Sequence, residues 1–139
     1  MKLNNSILVA MLTASSFFMG CKKENPPNPL GQEYIIQGTI FDQNTGNPVD
    51  SAAVTFYSYE QTWDSHGNQI MAEVVAGHTL MVSSSSKSKY YNKLTGLNNP
   101  QYIRVEAVRN DAKLFSAPSS TIINNPKPGS TNTANVSVN

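Results

Sequence analysis

The chain of 139 residues contains a single cysteine, Cys21. No intrachain disulfide framework is therefore available to staple it. Charge is also scarce: Asp, Glu, Lys and Arg make up 14% of the sequence, and ten basic residues nearly cancel nine acidic ones. That balance offers no electrostatic capture of nucleic acid, which needs a basic surface. It is equally unlike the high net charge of disordered tails. No heptads with charged flanks are present, which excludes a coiled coil. The main apolar run, Ile7 to Phe18, is 12 residues long and too short to cross a bilayer as a helix. There is no Walker loop, no Gly-rich dinucleotide fingerprint and no Gly-x-Ser-x-Gly elbow. Ser, Thr, Asn and Gln fill the space that charge and hydrophobicity leave.

The first residues read as an address. Lys2 supplies a positive start, and Ile7–Phe18 has the length of a signal-peptide apolar core. Phe18-Met19-Gly20-Cys21 follows and resembles a bacterial lipobox. The cysteine would accept a diacylglycerol on sulfur, and the small Gly20 before it would let a peptidase reach the bond. Residues 1–20 are thus expected to be a signal peptide cleaved between Gly20 and Cys21. Two or three acyl chains on Cys21 would anchor the protein stably, whereas one chain is marginal. Lys22 occupies the position where, in Gram-negative lipoproteins, Asp is the usual inner-membrane retention signal. The resemblance therefore implies an outer membrane lipoprotein, facing either the periplasm or the cell surface.

Residues 21–32 form a tether. Asn25-Pro26-Pro27-Asn28-Pro29 places three prolines within four positions, which favours polyproline II over helix or sheet. At ~3.1 Å per residue, the ten residues from Lys22 to Gly31 would hold a domain roughly 30 Å from the membrane.

Residues 33–139 are expected to be one all-β domain. From Glu33 the hydrophobic period is two. Tyr34, Ile36, Gly38 and Ile40 share one face of a first strand. A second strand spans Ala52 to Tyr59, with Val54 and Phe56 inward. A third spans Gln69 to Val75, and another resumes at Thr79 to Ser83. Ser84 to Lys89 reads as a loop. Tyr102 to Val108 alternates clearly, with Ile103, Val105 and Ala107 on one side. Ala112–Ser116 and Ser120–Ile123 are shorter candidates, and Asn132–Val138 closes the chain with Ala134, Val136 and Val138 aligned. Turn formers separate these runs at Asp42–Pro48, Asp64–Asn68 and Asn124–Gly129. Strands at this spacing predict a small antiparallel β-sandwich.

Two stretches carry a family resemblance. Gly38-x-Ile40-x-Asp42-x-x-Thr45-Gly46-x-Pro48-Val49-x-x-Ala52-x-Val54 is similar to the opening of carboxypeptidase regulatory-like domains. Leu94-x-Gly96-Leu97-x-x-Pro100-x-Tyr102-x-Arg104-Val105-x-Ala107 resembles a later hairpin of those domains and of collagen-adhesin B-type repeats. The resemblance implies a seven-stranded, transthyretin-like sandwich and a non-catalytic accessory or binding role. The first motif also has a physical basis. Asp42 and Thr45 can cap the loop, Gly46 can supply positive φ, and Pro48 can fix re-entry into the second strand. The adhesin relatives often cross-link a first-strand Lys to a late Asn. No Lys lies between Glu33 and Asp50, so that cross-link is not expected.

The remaining candidates are few. His66 and His78 sit in turns at either end of one strand, up to about 40 Å apart if it were fully extended, which leaves no shared metal site. Asp42-x-Asn44-x-Gly46 begins like a calcium loop but has Ala53 where a bidentate Glu would stand. No cofactor is expected. If Val54 and Phe56 face the core, Tyr57, Tyr59 and Trp63 point outward and could form a platform for sugar rings or a protein partner. The leading expectation is a lipid-anchored binding or structural module with an envelope protein partner, and the second is a glycan-binding lipoprotein. A third, from another class, is a hydrolase whose site is dispersed over Asp64, Glu73, Glu106, His66 and the serines 83–86.

Overall fold

Alternating apolar and polar residues leave this chain few ways to bury a surface except by facing one sheet with another. The computed structural model describes residues 32–110 and 117–139. The expected signal peptide, Cys21, nearly all of the tether and the candidate strand at Ala112–Ser116 lie outside the described residues.

Among the described residues nine strand segments follow in order: β1 (Tyr34–Asp42), β2 (Ser51–Trp63), β3 (Gln69–Val75), β4 (Leu80–Ser83), β5 (Lys89–Leu94), β6 (Tyr102–Arg109), β7 (Ser119–Asn124), β8 (Thr131–Thr133) and β9 (Val136–Val138). A 3-10 turn, Ser84–Ser86, separates β4 from β5. One sheet has the order β5-β1-β8, with β9 continuing beside β1; the other has β3-β2-β6-β7, with β4 beside β2.

Two of the strands are interrupted rather than separate. β3 pairs Tyr57–Trp63 and β4 pairs Ser51–Val54, along the edge of β2 opposite β6. Between them the four residues 76–79 face only Thr55 and Phe56. The surplus of two preserves side-chain parity, so Val82 still points inward and Met81 outward. Likewise β8 and β9 follow β1 in one register, Ile35 opposite Thr131 and Ile40 opposite Val136. Merged this way, the described residues form seven strands in an all-β sandwich of three plus four, as expected.

The core lies between the sheets. Tyr34, Ile36 and Ile40 from β1 meet Ala52, Val54 and Phe56 from β2 and Ile103, Val105 and Ala107 from β6, all fully buried. Ala134, Val136 and Val138 close it from the C-terminus. Phe56 and Tyr90 pack edge to face with centroids 5.8 Å apart, the arrangement that aromatic quadrupoles favour. Each fully buried aliphatic or aromatic side chain contributes roughly 1.5–3 kcal/mol.

Gly38 permits the closest approach in this core. The Tyr90 hydroxyl donates to the Ala134 carbonyl directly over it. A Cβ on Gly38 would lie 1.7 Å from that carbonyl oxygen. Beside it, where β8 passes into β9, the Thr39 amide donates to Asn135 Oδ1 at 3.0 Å. The side chain thus replaces a backbone partner at the break.

The loop after β1 folds as its residues dictate. Asp42 Oδ1 accepts from the Asn44 and Thr45 amides at 2.8 and 2.9 Å. Gly46 has φ +70°, a region that costs glycine nothing. Pro48 bridges back to Phe41, and Val49, Ala52 and Val54 turn into the core.

The structure departs from the sequence reading at four places. β2 runs to Trp63, four residues past the expected end. Lys89–Leu94 is a full strand paired to β1, where the sequence suggested loop and left the remainder unassigned. The C-terminal strand runs parallel to β1 in two pieces, so the sandwich is mainly rather than wholly antiparallel. The second motif is not a hairpin: it joins β5 of one sheet to β6 of the other. Buried Leu94, Leu97 and Pro100 plug that crossing between the layers.

Candidate functional site

In an antiparallel ladder, residues directly opposite each other share a face. The register therefore fixes what the four-stranded sheet presents outward. One row runs Ile122, Arg104, Tyr57, Val75; the next runs Asn124, Tyr102, Tyr59, Glu73. Gln61 opposite Met71 and Trp63 opposite Gln69 extend the face beyond the end of β6. At the other end Met81 stands opposite Ala53. Of the seven large hydrophobic residues that are exposed among the described residues, Trp63, Met71, Val75, Met81 and Ile122 lie on this one face. Ile70 and Tyr91 lie elsewhere.

A charged and aromatic network holds the middle of the face. Arg104 bonds Glu73 through Nε and Nη2, the latter at 2.6 Å, and Glu106 through Nη1 at 2.5 Å. Its guanidinium also lies 4.1 Å above the Tyr57 ring. Tyr59 and Tyr102 stack in parallel with centroids 5.0 Å apart, and the Tyr102 hydroxyl donates to Glu73 at 3.1 Å. The Arg104 guanidinium, followed by the Tyr102 hydroxyl, holds the Glu73 carboxyl below its ordinary range. Partial burial, then the neighbouring Glu73 carboxylate, raises the Tyr102 phenol. Charge-assisted bonds are stronger than neutral ones, and these tie side chains of β2, β3 and β6 together across the face.

Tyr57, Tyr59 and Trp63 all point outward, but they are not equally open. Tyr57 is covered by Arg104 and Tyr59 by Tyr102. Trp63 is 67% exposed and is the free ring.

A cleft lies one same-face row short of that residue on β2, lined by Gln61, Met71, Asn98, Asn99 and Gln101. Its far wall is the β5–β6 crossing. The Asn98 amide donates to Glu60 Oε2 at 2.5 Å, its side chain reaches the Gln61 carbonyl at 3.4 Å, and the Gln101 amide donates to the Tyr59 carbonyl at 2.9 Å. The sequence motif marked the crossing by Gly96 and Pro100. It did not mark the amides between them, which bear on β2 only once the sandwich is closed.

The other candidates are dispersed. Asp64 caps its own turn, accepting from the His66 and Asn68 amides at 2.9 and 2.8 Å; those bonds, the Asn68 amide first, lower its pKa. His66 lies in that turn, His78 in the break between β3 and β4, at opposite ends of β3. Ser83 and Ser85 share a hydroxyl bond of 2.6 Å, and Ser86 bonds the Ser83 carbonyl. Glu73 and Glu106 come together, but on Arg104. Among the described residues no three His, Cys, Asp or Glu side chains are placed to hold a metal ion. None of the described helices is long and apolar enough to cross a membrane.

No protein-family model matches the chain, and no curated protein matches it. Among solved structures, it is similar to the C-terminal domain of the shaft pilin SpaA from Lactobacillus rhamnosus GG. The identity is 11% and the TM-score 0.42, over 76% of this chain and 96% of that one. That similarity is too slight to transfer a function. The sandwich stands on the strand pairing described above.

Proposed function

We propose that this chain is a lipid-anchored, extracytoplasmic, non-catalytic binding module of the cell envelope, whose ligand docks on the outer face of the four-stranded sheet. The observation that carries the reading is the concentration of exposed large hydrophobic residues on that face, around the Arg104–Glu73–Glu106 network. Scattered exposed apolar residues are ordinary, but a gathered set on one face marks a contact surface.

Anchoring rests on the lipobox-like residues ending at Gly20-Cys21 and on the Pro-rich spacer behind them. Lys22 directs the reading to the outer membrane. The sandwich and its Asp42–Pro48 loop agree with the carboxypeptidase regulatory-like resemblance, whose members of this kind serve as accessory modules. The non-catalytic reading is supported by the commitments of the reactive groups. Glu73 and Glu106 neutralise Arg104, Asp64 caps a turn, Ser83 bonds Ser85, and Ser86 bonds the Ser83 carbonyl. A hydrolase would need two of these converging on one pocket.

The test of anchoring is metabolic labelling with an alkyne palmitate analogue. The wild-type chain should incorporate label and fractionate with membranes, and Cys21→Ala should do neither. Label retained by Cys21→Ala would overturn the lipoprotein reading.

A further inference from the structure

We infer that the cleft beside Trp63 is a subsite for a neutral glycan. This rests on the binding-module reading above and names the ligand class for its distal end.

The chemistry of the lining selects the ligand. Gln61, Asn99 and Gln101 bring exposed side-chain amides to the cleft. An amide offers both donor and acceptor, and so does a sugar hydroxyl. Trp63 stands one same-face row beyond Gln61 and Met71, about 7 Å along β2. Its open indole provides the flat, weakly negative face on which the C–H groups of a pyranose ring stack. A few directional polar groups beside an apolar surface are what fix the orientation of a small ligand in a cleft.

Charge narrows the class further. No cation and no carboxylate lines the cleft. The carboxylates close in sequence on β2 and β3 are engaged: Glu60 accepts the Asn98 amide, and Glu73 is paired with Arg104. Phosphorylated, sulfated or uronic-acid ligands would find no counter-charge. An apolar protein partner would find its complement further along the face, at Val75, Met81 and Ile122, rather than in an amide-lined recess.

The cleft is also preorganised. Asn98 is bonded at both its backbone and side-chain nitrogen, which pins the loop against β2. Asn99 holds φ +47°, a conformation that Asn tolerates better than most residues. The rotation of the loop is therefore settled before ligand arrives, which lowers the entropic cost of binding.

Trp63 is the sole tryptophan, so its emission reports the subsite without labelling. The detergent-solubilised full chain would be titrated with dextran, mannan and xyloglucan as neutral probes and with polygalacturonate as the acidic control. At least one neutral probe should shift the emission to the blue and protect Trp63 from acrylamide. Gln61→Ala and Asn99→Gly should each weaken that binding about tenfold or more, with far-UV circular dichroism and melting unchanged. Asn99→Gly keeps the positive φ available, so its fold is safe. The inference is overturned if no neutral probe moves the emission, if polygalacturonate binds as well as the neutral probes, or if both variants bind like the parent. A photo-reactive residue at Val75 separates the two levels. Protein adducts at Val75 with a silent Trp63 would remove the glycan and leave the binding module; silence at both would remove both.

Discussion

Replacing Gly38 by Ala tests the packing on which every outward position depends. Gly→Ala at an unstrained strand position should stabilise a protein by about 0.4–1 kcal/mol, because the unfolded chain loses freedom. Here the sign should reverse. The new Cβ would sit 1.7 Å from the Ala134 carbonyl oxygen and 2.7 Å from the Tyr90 hydroxyl, so backbone must move. Overpacking of that kind costs about 1–3 kcal/mol. Moving the carbonyl also strands the buried Tyr90 hydroxyl, which adds about 1–3 kcal/mol. A total of roughly 2–6 kcal/mol is a large share of a small domain's roughly 5–15 kcal/mol. Urea unfolding followed by far-UV circular dichroism would measure it, with a melting temperature lower by at least about 10 °C. Tyr90→Phe in the Gly38→Ala background should then cost little, since the hydroxyl has already lost its partner. An unchanged or raised stability for Gly38→Ala would refute the close approach of β1 to the break between β8 and β9.

Two further outcomes follow from side chains inside and at the rim of the sandwich. Ser58 is fully buried and its hydroxyl has no partner among the described residues, so Ser58→Ala should raise stability by about 1 kcal/mol; a loss of that size would show an unseen partner. Asp42 is held at about 2 against an ordinary 3.8, chiefly by Arg109 and then by the Thr45 amide, and Asp64 and Glu73 are lowered as well. Groups lowered on folding stabilise the native state above their unfolded values and lose that contribution as they protonate. Melting temperature should therefore hold from neutral pH to near pH 4 and fall as pH approaches 2, and Asp42→Asn should flatten part of that fall.

Much of the fold was legible because one residue in two carries the signal on a half-buried strand. Ile103, Val105 and Ala107 alternate with Arg104 and Glu106, Tyr34, Ile36 and Ile40 recur on one face of β1, and the Asp42–Pro48 loop names its own conformation. β5 was harder. Lys89-Tyr90-Tyr91-Asn92-Lys93-Leu94 also alternates, but its inward set contains Asn92, which is only half-buried, and its two lysines make it read as surface. The direction of β8 and β9 was not legible at all, since whether a returning strand runs parallel depends on where the crossing enters. The outward parity of Tyr57, Tyr59 and Trp63 followed from Val54 and Phe56. What covers the first two did not, because Arg104 and Tyr102 arrive from a strand more than forty positions later. The amides of the cleft belong to the same class: their sequence neighbourhood is a loop, and only tertiary closure sets them beside β2.

The central claim is that this molecule binds through one face of one sheet. A photo-reactive amino acid placed in living cells at Val75, on the outer face of the four-stranded sheet, and separately at Tyr91, outward on the opposite sheet, tests it most directly. Both positions are more than half exposed, so accessibility does not decide the result. Adducts formed from position 75 and not from 91 are the predicted outcome. Adducts formed from 91 alone would place the working surface on the three-stranded sheet and contradict the account.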